Sequence, residues 1–302
     1  MGEFAALATA FCWAFSSIFF TTSSKEAGAI PVNRIRLIFA VILLLIFHTL
    51  ITGHPLPLDA ELFRWVWLGL SGIVGLVIGD TLLFQAYFLI GNRLGTLIMS
   101  GVPVISSLAA WLFLGEKLNL VSMIGIAVCT GGIFLVVMEK QPGNGANGVG
   151  TTHHERRQYI LGVLYAIGGA IGQAGGLVLA KKGLADNFPS ISGVAIRMVT
   201  AMIFIWIITL LMGQVKQTFA KIYNNSKLIA SIASGTVIGP FLGVWLSQIA
   251  VQRSYVGIAS TLMAMTPIFV LPISKYYYRE KVSFRAVVGT VIALVGVAII
   301  FI

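Results

Sequence analysis

Apolar residues run along this chain in long unbroken stretches, with polar residues gathered between them. Ten stretches separate, at roughly 4–24, 31–52, 63–90, 94–114, 119–138, 159–181, 189–212, 227–251, 255–277 and 284–302. Each holds about the 20 residues a helix needs to cross a hydrocarbon core. A membrane β-strand would instead alternate apolar and polar positions over about 10 residues. Backbone groups in lipid must pair internally, so the pattern predicts an all-α integral membrane protein of ten transmembrane helices. Only Met1, Gly2 and Glu3 precede the first run, with no basic residue. It is therefore expected to be a span rather than a cleavable signal. The longest polar break is 139–158.

Composition agrees with the pattern. Of 302 residues, 58% are apolar and 10% charged, against roughly 25% charged in an ordinary soluble domain. So few charges could not cover a soluble body of this size, which excludes most soluble enzymes. The formal net charge is +10. Basic loops suit anionic lipid headgroups, so the excess calls for no nucleic acid. Cys12 and Cys129 both lie inside apolar runs and make no disulfide framework.

An internal repeat organises the chain. Residues 91–134 align with 255–298 at a constant offset of 164. Gly115-Glu116-Lys117-Leu118 falls on Arg279-Glu280-Lys281-Val282, Met99 on Met263, Pro103 on Pro267 and Gly125 on Gly289. Upstream, Gly75 and Gly79 fall on Gly239 and Gly243, and Ala86 on Ala250. Arg36 matches Arg197 at an offset of 161, and Ala10 matches Ala170 at 160. This predicts a first repeat over 1–140, a flexible linker over 141–157 and a second repeat over 158–302. Each repeat holds five spans, and an odd number forces the second to enter from the opposite side. Inverted repeats of this kind carry substrate near the midplane between the halves.

The five-plus-five duplication, the proline-containing fourth and ninth spans and the Gly115-Glu116 step resemble the EamA-type family of the drug/metabolite transporter superfamily. The resemblance covers essentially the whole chain; Arg279 departs from it, standing where a second glycine would be. It implies secondary export of a small metabolite, such as an amino acid, or of a drug, across the cell membrane. It names no substrate.

Asp80 is the sharpest single signal. It lies near the middle of the third span, where a carboxyl is costly and ordinarily faces a cavity or a partner. Proton coupling or binding of a substrate ammonium group would use it; a structural pair with an intramembrane arginine is the plainer role. Asp80, Phe84 and Tyr87 share a helix face, and the repeat carries that face to Val244, Gln248 and Val251. One acid in the first half and one amide in the second predict an asymmetric cavity. Trp13 in the first span matches Gln173 in the sixth at an offset of 160, and with Ser17 these join the cavity candidates. Arg36 and Arg197 are candidates for clamping an anionic group, or else snorkelling and packing arginines.

Gly75, Gly79, Gly239 and Gly243, like Gly168, Gly172 and Gly176, recur every four residues, the spacing that lets helices approach closely. Pro103 and Pro267 are expected to kink their spans and to serve as hinges or shape a cavity wall. His48 is expected to pack rather than relay protons. The formal G-x-G-x-x-G match over 143–148 follows a membrane helix, not a strand, and binds no dinucleotide. His153-His154-Glu155-Arg156-Arg157 lacks the second histidine of a zinc-protease helix. Neither a cofactor nor a metal is expected, and no nucleophile–base set for an intramembrane enzyme is present. The expected partners are a small-molecule substrate, protons or an exchanged solute, and lipid; monomer and homodimer both remain open. A multidrug or organic-cation exporter is the nearest alternative, and a scaffold or lipid-flippase component the non-transport one.

Positive charge is uneven between the two sides. The side of the N-terminus carries Arg64, Lys117, Lys181, Lys182 and Arg253. The other carries fourteen: Lys25, Arg34, Arg36, Arg93, Lys140, Arg156, Arg157, Lys216, Lys221, Lys227, Lys275, Arg279, Lys281 and Arg285. The positive-inside rule then places both termini outside, whereas the family resemblance implies termini in the cytoplasm.

Overall fold

The structure is a computed structural model and describes residues 1–138, 153–220, 222–276 and 284–301. The Arg279-Glu280-Lys281 step, Lys140, Lys221 and the linker as far as residue 152 lie outside the described residues. Residues 153–157, expected in the linker, already belong to a helix.

Among the described residues the chain is helical and holds no strand. The helices are α1 (Gly2–Ala27), α2 (Ala29–Thr52), α3 (Leu62–Ser71), α4 (Asp80–Met99), α5 (Val102–Leu114), α6 (Leu120–Val137) and α7 (His153–Gly183). They continue with α8 (Ser190–Leu211), the short α9 (Val215–Ala220), α10 (Ser226–Thr236), α11 (Val244–Arg253), α12 (Val256–Met263), α13 (Thr266–Tyr276) and α14 (Phe284–Ile300). Seven helical stretches are long and apolar enough to span a membrane: Gly2–Ser24, Ala29–Thr52, Leu62–Tyr87, Leu120–Val137, Arg156–Gly183, Ser190–Leu211 and Ser226–Arg253. The fourth, ninth and tenth expected spans are the shorter apolar helices Val102–Leu114, Val256–Val270 and Phe284–Ile300.

Two stretches of wide, π-helical winding join α3 to α4 and α10 to α11, at Gly72–Gly79 and Val237–Gly243. The offset that pairs Gly75 and Gly79 with Gly239 and Gly243 lays one on the other. Such stretches are rare, and each here is rich in glycine; the second also holds Pro240, which has no N–H to give to a tighter ladder.

Pro103 and Pro267 do not kink continuous helices, as the sequence suggested. Each is the second residue of a new helix, α5 or α13, after short breaks at Ser100–Gly101 and Ala264–Met265. The first helical turn needs no N–H donor there, so proline is tolerated. The prolines inside helical winding are Pro240 and Pro272. The break expected between the third and fourth runs, at 90–94, is also absent, because α4 continues to Met99. No proline stops it, and glycine costs a helix only about 1 kcal/mol. The axis bends instead. The Tyr87 ring would lie 2.5 Å from a Cβ on Gly95, although a straight helix would hold their Cα atoms about 12 Å apart.

The chain divides into two compact units, Met1–Val77 with Gly176–Ser254, and Ile78–Gly175 with Tyr255–Ile302. Each unit therefore mixes residues from both sequence repeats. In the first, α1, α2, α8, α10 and α11 pack around a core that includes Leu37, Leu44, Val194, Met198, Phe241 and Val244. There a Cβ added to Gly239 would lie 2.8 Å from Ser16 Cβ, and one added to Gly176 would lie 2.9 Å from Gly75 Cα. At offsets of 160 and 164 these are one contact made twice, since Ser16 corresponds to Gly176 and Gly75 to Gly239.

In the second unit the same logic governs α6 against α14. A Cβ on Gly125 would lie 3.0 Å from Gly296 O, on Gly132 2.7 Å from Gly289 O, and on Gly289 2.8 Å from Gly132 O. Gly125 corresponds to Gly289 and Gly132 to Gly296. Contact i to j is thus answered by j to i, with one helix ascending as the other descends. Reciprocal, antiparallel contact of this kind is what a two-fold relation between equivalent elements produces. Small residues at that crossing let two backbones meet in lipid, where dispersion and close packing replace the hydrophobic effect.

Candidate functional site

Asp80 is the first residue after the π-helical stretch Gly72–Gly79, at the start of α4, and is 9% exposed. Gln173 of α7 donates from Nε2 to Asp80 Oδ1 at 2.6 Å. The glycines beside them set this distance. A Cβ on Gly169, one turn before Gln173, would lie 3.3 Å from Gly79 O and 3.2 Å from Leu83 N, so α4 and α7 touch backbone to backbone there. A short bond from an amide to a carboxylate in a water-poor setting is of the charge-assisted kind. Gln173 stays half-buried, and the Phe84 and Tyr87 rings lie farther along α4, 6.4 Å apart at centroid. Asp80, Gln173, Phe84 and Tyr87 thus belong to one unit.

The other candidates belong to the unit of α1 and α11. Trp13 lays its ring edge on Gly243, where a Cβ would meet Cδ1 and Nε1 at 2.9 Å. Trp13 and Gly243 occupy the repeat positions of Gln173 and Gly79, so a polar pairing in one half corresponds to an aromatic contact in the other. Ser17 bonds back to Ala14 O at 2.7 Å, within its own helix. Gln248 is fully buried on α11. Arg36 donates to Asn33 Oδ1 at 2.7 Å and lies over the Phe20 ring at 5.5 Å. Arg197 is 3% exposed, and its backbone carbonyl is held against Gly72. His48 is a packed residue, 1% exposed, with Nε2 2.9 Å from Ser192 Oγ and Nδ1 2.6 Å from His54 O.

Three side chains escaped the sequence reading. Arg34, counted among loop charges, is buried and donates to Gln214 Oε1 at 2.7 Å and Thr218 Oγ1 at 2.9 Å, fixing α9. Arg64, also counted there, is buried and donates to Gly183 O at 3.2 Å and Ala185 O at 2.8 Å, capping the end of α7, and meets Asp186 at 3.1 Å. Gln252 completes the turn after α7, giving Nε2 to Leu184 O and Phe188 O and taking the Ser190 hydroxyl. Nothing in spacing marks these residues, because each serves partners distant in sequence. Taking Arg34 and Arg64 out of the charge tally still leaves the sides unequal. Arg64→Met strips two carbonyls of their donor, and hydrogen bonds to a charged group are worth about 1.5–3 kcal/mol. A fall in unfolding temperature of the purified protein is the expected result, with any transport retained.

Glu116 of the Gly115-Glu116 step has a defined place. Gly115 ends α5 in the left-handed conformation, φ 68°. Glu116 Oε2 then accepts the Val256 N–H at 2.7 Å, so a carboxylate caps the N-terminus of α12, where negative charge is favoured. Beside it Ser106 and Ser260 hydroxyls bond at 2.6 Å across α5 and α12.

The sequence matches the EamA-like transporter family over residues 1–138 and 160–302. The chain belongs to the EamA-like transporter family, within the drug/metabolite transporter superfamily. A curated relative, described as an uncharacterized transporter of Archaeoglobus fulgidus, is 43% identical over 44 residues, 15% of this chain and 16% of that protein. A solved structure described as "Crystal structure of protein" matches 99% of this chain and 95% of its own with a TM-score of 0.76 at 16% identity, which shows a shared fold. Family membership and the apolar helices together mark the EamA chain as a multi-pass membrane protein of a transporter family.

Proposed function

We propose that the protein is a secondary active transporter that exports a small polar metabolite, of amino-acid type, across the cell membrane by alternating access. A proton gradient or exchange would drive it, because no ATP-binding motif occurs in the sequence. The two sequence repeats, 1–140 and 158–302, would act as its moving halves. The observation that carries the reading is the buried Asp80–Gln173 pair beside a π-helical stretch. A buried carboxylate hydrogen-bonded to a neutral amide can exchange that partner for a proton or a substrate ammonium group. Phe84 and Tyr87, in the same unit as Asp80, would line the path with aromatic surface. Transport rather than catalysis is favoured because the family is one of transporters.

The test is flux. Proteoliposomes holding the purified protein and preloaded with labelled amino acids are expected to release label faster than protein-free vesicles. Release of tetraphenylphosphonium with no amino-acid flux would transfer the reading to an organic-cation exporter. Release of neither would refute transport of these two classes.

A further inference from the structure

We propose that Gln248 is a recognition point for an uncharged carboxamide on the transported solute, an inference that rests on the transport reading above. Helix α11 carries two glutamines one turn apart, and the structure treats them oppositely. Gln252 makes three hydrogen bonds, to Leu184 O at 3.1 Å, Phe188 O at 2.8 Å and the Ser190 hydroxyl at 2.6 Å. Gln248 has no exposed surface, and neither its Nε2 nor its Oε1 has a hydrogen-bond partner among the described residues. Its helix neighbour Ser247 is satisfied by Val244 O at 2.7 Å. The unpaired amide is thus particular to Gln248 on this helix.

Packing on both sides accounts for the isolation. Toward the C-terminal end of α11, a Cβ on Gly2 would lie 2.9 Å from the Arg253 carbonyl carbon; toward the other end, the Trp13 ring covers Gly243. Val244 and Val251, on the same helix face as Gln248, are 7% and 0% exposed. An amide left unpaired in such a setting is costly, and native proteins keep such groups for a reason. The chemistry of the unpaired amide is specific. Oε1 needs a donor and Nε2 an acceptor on adjacent atoms. An apolar surrounding disfavours a full charge. A carboxamide offers both complements without one.

The experiment uses the purified full chain and measures unfolding temperature with and without L-glutamine, L-asparagine, L-methionine or L-leucine. Wild type is expected to be stabilised by the two carboxamide solutes more than by the two apolar ones. Gln248→Leu is expected to raise the ligand-free unfolding temperature by about 2–4 °C, because it removes an unpaired polar group, and to cost about tenfold in carboxamide affinity while leaving binding of the apolar solutes unchanged. Three results would overturn the proposal: no carboxamide preference in wild type, a preference kept by Gln248→Leu, or a ligand-free unfolding temperature lowered by it. The last would mean that internal water satisfies the amide. Amino-acid flux in proteoliposomes alongside any of these would leave the transport reading standing, whereas absence of flux bears on that reading alone.

Discussion

Asp80→Asn is expected to reduce flux in proteoliposomes at least tenfold while leaving the unfolding temperature within about 2 °C of wild type. Asparagine keeps an Oδ1 acceptor for the Gln173 N–H, which now spans 2.6 Å. The α4–α7 approach is set independently by glycine, through Gly169 against Gly79 O and Leu83 N. The substitution therefore removes a charge and little shape. A neutral hydrogen bond is weaker than a charge-assisted one by about 1 kcal/mol, but burial of the carboxylate no longer has to be offset. A tenfold loss corresponds to about 1.4 kcal/mol, modest for a group that holds a proton or an ammonium. If flux and its dependence on an imposed pH gradient are unchanged, Asp80 has no part in coupling. Gln173→Leu separates a further point: if the amide only tunes the acid, this variant should shift the pH profile of flux without abolishing it.

The largest stability loss should come from the crossing of α6 and α14. A Cβ on Gly132 would sit 2.7 Å from both Ala293 Cα and Gly289 O, which are backbone atoms and cannot rotate away. Gly132→Val must push the helices apart, and overpacking costs about 1–3 kcal/mol even before packing is lost along the seam. The neighbouring Gly131 provides the contrast, since nothing lies within 4 Å of its added Cβ. Gly131→Ala is expected to stabilise by up to about 1 kcal/mol through helix propensity. Opposite shifts in unfolding temperature at adjacent glycines would establish the seam as the cause; equal shifts would reject it.

Much of this arrangement was legible in the sequence, and the misses have physical causes. Continuous apolar runs announce helices because lipid leaves the backbone no other closed solution. Glycine at four-residue spacing reads as a packing position, and an added Cβ on Gly176, Gly239 or Gly243 would lie within 3 Å of a neighbouring atom. The offset that paired Gly125 with Gly289 returned as a reciprocal contact through Gly296 and Gly132. Hydropathy could not place helix ends. It sees a polar step at Asn92-Arg93, where α4 runs on, and nothing at Ser100–Gly101, where the helix breaks. Pro103 misled for a related reason, because a proline in an apolar run fits a helix start as well as a kink. For the site, Asp80 stood out because a midspan acid is rare. Its amide partner was visible only as one of several polar residues, since pairing between α4 and α7 depends on a crossing that no local pattern encodes. A tally of charge by side cannot distinguish an arginine facing headgroups from one turned inward, as Arg34 is onto Gln214 and Thr218 and Arg64 onto carbonyls.

The crossed contacts also bear on how the polypeptide is made. As the nascent chain leaves the ribosome, the glycine face of the third span has no partner until Gly176 has been synthesised, and α1 waits for Gly239. Helix α1 waits through the longest stretch of chain, and α6 is completed last, because its counterpart α14 is the last of the described helices. Insertion and tertiary assembly are thus separated in time. A polypeptide released before residue 284 would present a bare glycine face to membrane quality control, whatever the state of its other helices.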